Sequence, residues 1–194
     1  MTSEEIARSL KEQNKDAILL LQAGEYEKAY ISFGIYLKKL VDYKLYDYAA
    51  KARINMANTL YIMGQYHEAL ECLKKSLKYF EEQKNFDSLN ENRIIEGNLY
   101  LKLNELEKLK ELSIKMLNST KSDRITSIAY MFDIYSNAEC NKTSIDIINK
   151  AITYAERSSD KNVLRQALCL RINYYEKNKK NVYAALDRDR IATL

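Results

Sequence analysis

The chain has 194 residues, no proline, no tryptophan and four glycines, and its 31 Lys/Arg against 27 Asp/Glu leave a net charge of +4. Ordinary usage would supply about ten prolines and fourteen glycines, the residues that make tight β-turns, so β-sandwiches and barrels are excluded. With 46% apolar residues the chain can build a core, which argues against disorder, and so small a net charge argues against a polyelectrolyte role.

A nearly all-helical protein remains. The first helix is predicted over 3–22, opened by the capping-box pattern Thr2-x-x-Glu5. It ends at Gly24-Glu25-Tyr26-Glu27-Lys28-Ala29-Tyr30, where Gly24 supplies the positive φ that stops a helix. The second helix follows over 25–44 and the third over 46–63. The third ends at Gly64-Gln65-Tyr66-His67-Glu68-Ala69-Leu70, the same punctuation forty residues on. A fourth helix covers 65–84. The fifth, over 86–103 with Asp87 or Ser88 as its cap, ends at Asn104-Glu105-Leu106-Glu107-Lys108-Leu109, forty residues on again. Asn is the best substitute for Gly in left-handed backbone. Helices over 105–119 and 122–137 come next. The turn Ala138-Glu139-Cys140-Asn141-Lys142 lacks the Gly-x-Tyr element. A helix over 142–158, capped by Thr143 or Ser144, and helices over 160–178 and 181–192 complete the chain. The last 35 residues hold eight Lys/Arg against four Asp/Glu, so the net charge sits there. Lys177, Lys179, Lys180, Arg188 and Arg190 read as a solvated helix surface, and no nucleic-acid contact is expected.

A small residue followed three later by a large one also recurs at forty, at Ala17 to Leu20, Ala57 to Leu60 and Gly97 to Tyr100. Ala29 to Phe33 and Ala69 to Leu73 add a large residue four after an alanine, and Ser76 and Ala151 supply small residues on second helices. This pattern resembles the tetratricopeptide repeat, over about residues 9–192. The resemblance implies an all-α, right-handed superhelical solenoid of about five helix pairs, forming one domain with repeats near 3–44, 46–84, 86–119, 122–158 and 160–192. The Trp-like first anchor and closing proline of that motif are absent. Repeats as long as forty are similar to those of the peptide-sensing regulators of Gram-positive bacteria, the Rap, PlcR and NprR group, and of kinesin light chains. Here no helix-turn-helix segment precedes the repeats, and there is no room for the separate N-terminal bundle of the Rap phosphatases.

Chemistry is sparse. His67 is the single histidine and has no ligand or nucleophile partner at a useful spacing. It reads as an exposed helix residue. No GxSxG, P-loop, GxGxxG or HExxH occurs. The expectation is therefore no enzyme, no cofactor and no metal. Cys72, Cys140 and Cys169 are odd in number and far apart, as in a reduced, cytoplasmic protein. No apolar run is long enough to span a membrane.

Binding residues are sought on the first helix of each pair, which lines the concave wall of such a solenoid. Counting from the small anchors, repeat two presents Lys51, Ile54, Asn58 and Tyr61. Repeat three presents Glu91, Ile94, Asn98 and Leu101. Repeat one presents Lys11, Asn14, Ile18 and Leu21. Repeat four presents Thr126, Ala129, Asp133 and Ser136, and repeat five Gln166, Cys169, Asn173 and Glu176. Asn recurs directly after the small anchor at 58, 98 and 173, with Asp133 in the fourth repeat. An Asn amide can pair with the backbone of an extended peptide while Ile54, Tyr61, Ile94 and Leu101 receive its side chains. The function implied is a protein- or peptide-binding module, an adaptor, scaffold or peptide sensor. The Lys of a chaperone-tail carboxylate clamp is missing, since Ile54 and Ile94 stand in its place. Tyr26, Tyr66, Tyr100 and Tyr135 read as core. Val182, Tyr183, Ala185, Leu186 and Ile191 on the last helix offer a surface to a second copy, and so to a homodimer. A regulator whose effector domain lies elsewhere is the other alternative.

Overall fold

A computed structural model describes residues 3–137 and 144–194. The proposed Thr2 cap, the turn over 138–142 and the Thr143 cap lie outside the described residues. Among those residues the chain is all α-helix, with ten helices and no strand. They are α1 Ser3–Gln22, α2 Tyr26–Asp42, α3 Tyr46–Ile62, α4 Tyr66–Glu82, α5 Phe86–Lys102, α6 Leu106–Ser119, α7 Asp123–Ser136, α8 Ile145–Ser158, α9 Lys161–Lys177 and α10 Asn181–Ala192. The chain divides into two compact units, residues 1–103 and 104–194.

The helices are cut by one recurring turn. Gly24 and Gly64 take φ of 78° and 77°, as their sequence context predicts, and Asn104 takes 55°. Lys44, Lys84, Ser159 and Lys179 take the same left-handed conformation, with φ between 53° and 59°. From Gly24 to Asn104 these residues fall every 20 positions, so the punctuation runs per helix and not per pair. The first four of these turns close on themselves. The Glu25 N–H donates to the Leu20 carbonyl at 3.0 Å, Leu45 to Leu40 at 2.8 Å, Gln65 to Leu60 at 2.9 Å and Asn85 to Phe80 at 2.9 Å. This is the six-to-one bond of a Schellman motif. The same residues then start the next helix, because Glu25, Leu45, Gln65 and Asn85 accept from the N–H groups of Ala29, Ala49, Ala69 and Leu89. Those four side chains are at most 2% exposed.

A two-residue junction moves the cap of α5. Asn85, not Asp87 or Ser88, caps it, its side chain accepting from the Ser88 N–H at 3.1 Å. Ser144 caps α8 as expected.

Lysine in left-handed backbone is strained, whereas glycine there is not. A Cβ on Gly64 would meet nothing within 4 Å, so only φ opposes it. Gly64→Ala should therefore cost about 1 kcal/mol, and Lys84→Gly should add about 0.5–1 kcal/mol. Urea midpoints at constant slope will check both signs.

In the first unit, each helix packs on the next and α3 also touches α5, so these two first helices share a layer. Phe33 is fully buried with Ala17, Ala29 and Met56, and Ile18, Leu20, Tyr30, Leu37 and Cys72 close around them. A second cluster joins Leu10, Tyr36, Leu40, Ala49 and Ala52. Small residues bring α3 and α4 together: the buried Ser76 hydroxyl donates to the Ala50 carbonyl at 2.7 Å.

In the second unit, α6 packs on α7, α7 on α8, α8 on α9 and α9 on α10, and α7 also reaches α9. Ala151 is fully buried, and here the first helix supplies the hydroxyl, Ser127 donating to the Ala151 carbonyl at 2.7 Å. Asp160 caps α9 and accepts from Arg124 of α7 at 3.0 Å. The Val163 N–H, with Arg124 beside it, holds the Asp160 carboxyl below the usual carboxylate range. The last helix is fastened by Asp187, which is 4% exposed and takes both arms of Arg171 at 2.6 and 2.7 Å. Arg171 also donates to Asn149 of α8 at 3.0 Å. Of the basic tail, Arg188 pairs with Glu176 and Arg190 with Glu156.

Candidate functional site

The layer of first helices in the first unit carries the residues singled out from the sequence. Asn58 and Asn98 each stand thirteen residues after the N-caps of α3 and α5, Leu45 and Asn85. Equal helix lengths and equal turns put them at the same height on adjoining helices. Asn58 is half-buried and Asn98 exposed. Among the described residues neither amide has a hydrogen-bond partner. An amide with a spare donor and acceptor can pair with peptide backbone. Ile54 and Tyr61 on α3, and Ile94 and Leu101 on α5, are half-buried around them. The Tyr61 ring lies 5.5 Å from that of Tyr66, which sets its direction along the wall. Lys51 and Glu91 are exposed at the edge. Lys51 donates to Asp47 at 2.6 Å and stands 5.4 Å over the Tyr48 ring. The Asp47 hydrogen bond holds the Lys51 ammonium above its ordinary pKa. On α1, Lys11 is exposed and Asn14, Ile18 and Leu21 are half-buried.

In the second unit Asn173 on α9 is exposed, again thirteen residues after its N-cap, Asp160. Gln166, Cys169 and Glu176 are exposed on the same helix. On α7 the same count from Ser122 reaches Tyr135. Tyr135 is 37% exposed, so it is a surface residue and not core. Cys169 of α9 adds to burial in raising the pKa of its hydroxyl. Asp133 lies two residues earlier, half-buried, and accepts from the Asn137 amide at 3.0 Å. Ala129, expected on the wall, is fully buried instead. Tyr26 and Tyr66 are half-buried, and Tyr100 is core as expected.

A feature the sequence did not signal lies on the other side of α3. A cleft of about 460 Å³ opens between α2 and α4, with α3 as its floor. Tyr30 and Leu37 come from α2, and Arg53 and Met56 from α3. From α4 come Cys72 on the inside and His67, Glu68, Glu71 and Lys75 on the exposed rim. The Cys72 thiol donates to the Arg53 carbonyl at 3.4 Å, and burial pushes its pKa up, so it is not poised as a nucleophile. Arg53 and Met56 sit about 140° and 160° around the helix from Asn58. The cleft is thus on the face opposite the asparagine wall. Among the described residues, no three His, Cys, Asp or Glu side chains come together as a metal site. No described helix is long and apolar enough to cross a membrane.

Residues 50–83, from α3 into the end of α4, match the family model of the tetratricopeptide repeat. Over that stretch the chain is similar to one tetratricopeptide repeat. The crystal structure of aspartyl phosphate phosphatase F from Bacillus subtilis matches all of this chain, with a TM-score of 0.66 and 17% sequence identity. At that identity the likeness is one of fold. The chain spans 50% of the length of that protein. No curated protein matches the sequence. The tetratricopeptide repeat is a protein-interaction motif, and residues 50–83 resemble one copy of it.

Proposed function

We propose that this repeat protein is a non-enzymatic, cytoplasmic binding module that takes an extended peptide across the first-helix wall of residues 1–103. The observation that carries this reading is the pair of unpartnered amides, Asn58 and Asn98, at equivalent heights on adjoining helices. They hold the peptide backbone, and Ile54, Tyr61, Ile94 and Leu101 receive its side chains. Within the second unit, Asn173 offers the same chemistry separately. Lys51 and Glu91 offer one charge of each sign for selecting a sequence. The role is that of an adaptor, scaffold or peptide-sensing regulator. The fold match to aspartyl phosphate phosphatase F supports the regulatory version. The phosphatase activity in that protein's name is not carried over, because the likeness is one of fold at 17% identity and this chain spans half of that protein.

Asn58→Ala combined with Asn98→Ala removes two hydrogen-bonding side chains and no core. The double variant should keep its helical circular dichroism and lose partners that co-purify with the wild-type chain from its host. An unchanged partner set on a folded variant rejects the wall.

A specific observation also favours self-association. Val182, Tyr183 and Leu186 on α10 are 74%, 56% and 61% exposed, and they lie within one turn of the helix. A second copy packing there forms a homodimer. Light scattering should then show a dimer that Leu186→Glu converts to a monomer; a wild-type monomer at high concentration refutes it.

A further inference from the structure

The cleft behind α3 holds an arginine in an unusual state. Five described arginines are half-buried, and four have an oxygen partner. Arg93 donates to Asn90, Arg124 to Asp160, Arg171 to Asp187 and Arg190 to Glu156. Arg53 is the fifth, and its guanidinium has no hydrogen bond or ion pair among the described residues. Taking a cation out of water without a partner is unfavourable. A guanidinium presents a planar fork that matches a carboxylate in two places.

The surroundings define the rest of a ligand. Met56 is 8% exposed, and Tyr30, Leu37 and Cys72 are half-buried, so the floor beside Arg53 is apolar. Lys75 adds positive charge at the rim. Of the two rim acids, Glu71 is already paired with Lys74 at 2.7 Å, and Glu68 stands exposed. The cleft lies open between two helices, a shape that receives side chains projecting from a segment of protein.

We propose that this cleft is a second docking site, for a partner-protein segment that carries an Asp or Glu carboxylate beside an aliphatic side chain. The carboxylate sits on Arg53 and the aliphatic group on Tyr30, Leu37 and Met56. The site is independent of the asparagine wall on the opposite face.

The test is an NMR titration of the full chain, followed at the Met56 methyl and the Arg53 Nε–H. The probe is acetyl-Leu-Glu-Leu-Leu-amide, with its Gln counterpart as control and hexanoate as a free carboxylate. The Glu peptide should shift both signals saturably, and the Gln peptide should bind about tenfold more weakly, the scale of one charge-assisted hydrogen bond. Arg53→Gln should abolish that preference and Arg53→Lys should retain part of it. Asn58→Ala with Asn98→Ala should leave it intact, which separates this site from the wall. No saturable shift, equal binding of the two peptides, or a preference that survives Arg53→Gln would overturn the proposal. Hexanoate binding as tightly as the peptide would replace the protein segment with a small carboxylate. If Arg53→Gln does not fold, the Glu–Gln comparison on the wild-type chain and on Arg53→Lys still decides.

Discussion

Asp187→Ala is expected to cost about 3 kcal/mol and to release α10 before the rest of the chain melts. Asp187 is the only buried acid among the described residues, and it accepts both arms of Arg171. Its removal leaves a guanidinium whose side chain is only 20% exposed facing an empty place. The large term is the stranded charge, not the lost attraction. Little else holds α10: Ala184 is its other buried side chain, and the Arg188 and Arg190 pairs lie at the surface. Helical repeats touch chiefly their neighbours, so the loss should stay local. Amide exchange should accelerate over 184–192 while α7 and α8 stay protected. Replacing both partners, Arg171→Met with Asp187→Leu, should recover most of the loss. Uniform acceleration across the unit, or an Asp187→Ala variant as stable as wild type, would contradict this account.

Phe33→Ala should cost about 4 kcal/mol and lower the melting temperature by about 10 °C. Phe33 is fully buried against Ala17, Ala29 and Met56. Two of those neighbours are alanines, which cannot swing inward to fill the space, so most of the cavity should persist. Phe33→Leu keeps more of the volume and should cost clearly less. Ile31→Ala, two residues away but 61% exposed, should change stability by less than about 0.5 kcal/mol. Thermal melts of the three variants check the order. Since Met56 and Leu37 belong to both this core and the cleft floor, Phe33→Ala should also disturb the cleft.

The fold was legible wherever residue type and backbone demand coincide. Gly24, Gly64 and Asn104 mark left-handed turns, and small residues at 17, 57, 76 and 151 mark crossings, so the helix order could be read directly. Lys44, Lys84 and Lys179 carry the same backbone without advertising it. Lysine has no left-handed preference, and closure of the turn bonds offsets the strain. For Lys44 and Lys84 the usable signal was two residues on, where Tyr46 and Phe86 open the next helix as Tyr26 and Tyr66 do; Asn181 gives no such signal after Lys179. The register of α7 is harder to read because its repeat lacks Gly-x-Tyr: Ala129, expected on the wall, is buried, and Tyr135 stands at the count from the N-cap that carries asparagine in α3 and α5. Asn58 and Asn98 stood out because they repeat at forty. The cleft did not, because the isolation of Arg53 depends on what α2 and α4 leave unpaired, which no spacing within α3 records.

The junction in which one residue closes a helix and opens the next has a consequence for change in length. From α1 to α5 no slack loop separates the helices, so an insertion or deletion rotates every later residue of that helix by about 100° per position. One or two residues lost would turn a buried face outward. Three lost amount to about 300°, which restores the face to within about 60°. The helices from α2 to α5 have 17 residues and those from α6 to α8 have 14. The difference is three. Natural and engineered length variants of this protein should be tolerated at losses of three or four residues per helix and rejected at one or two.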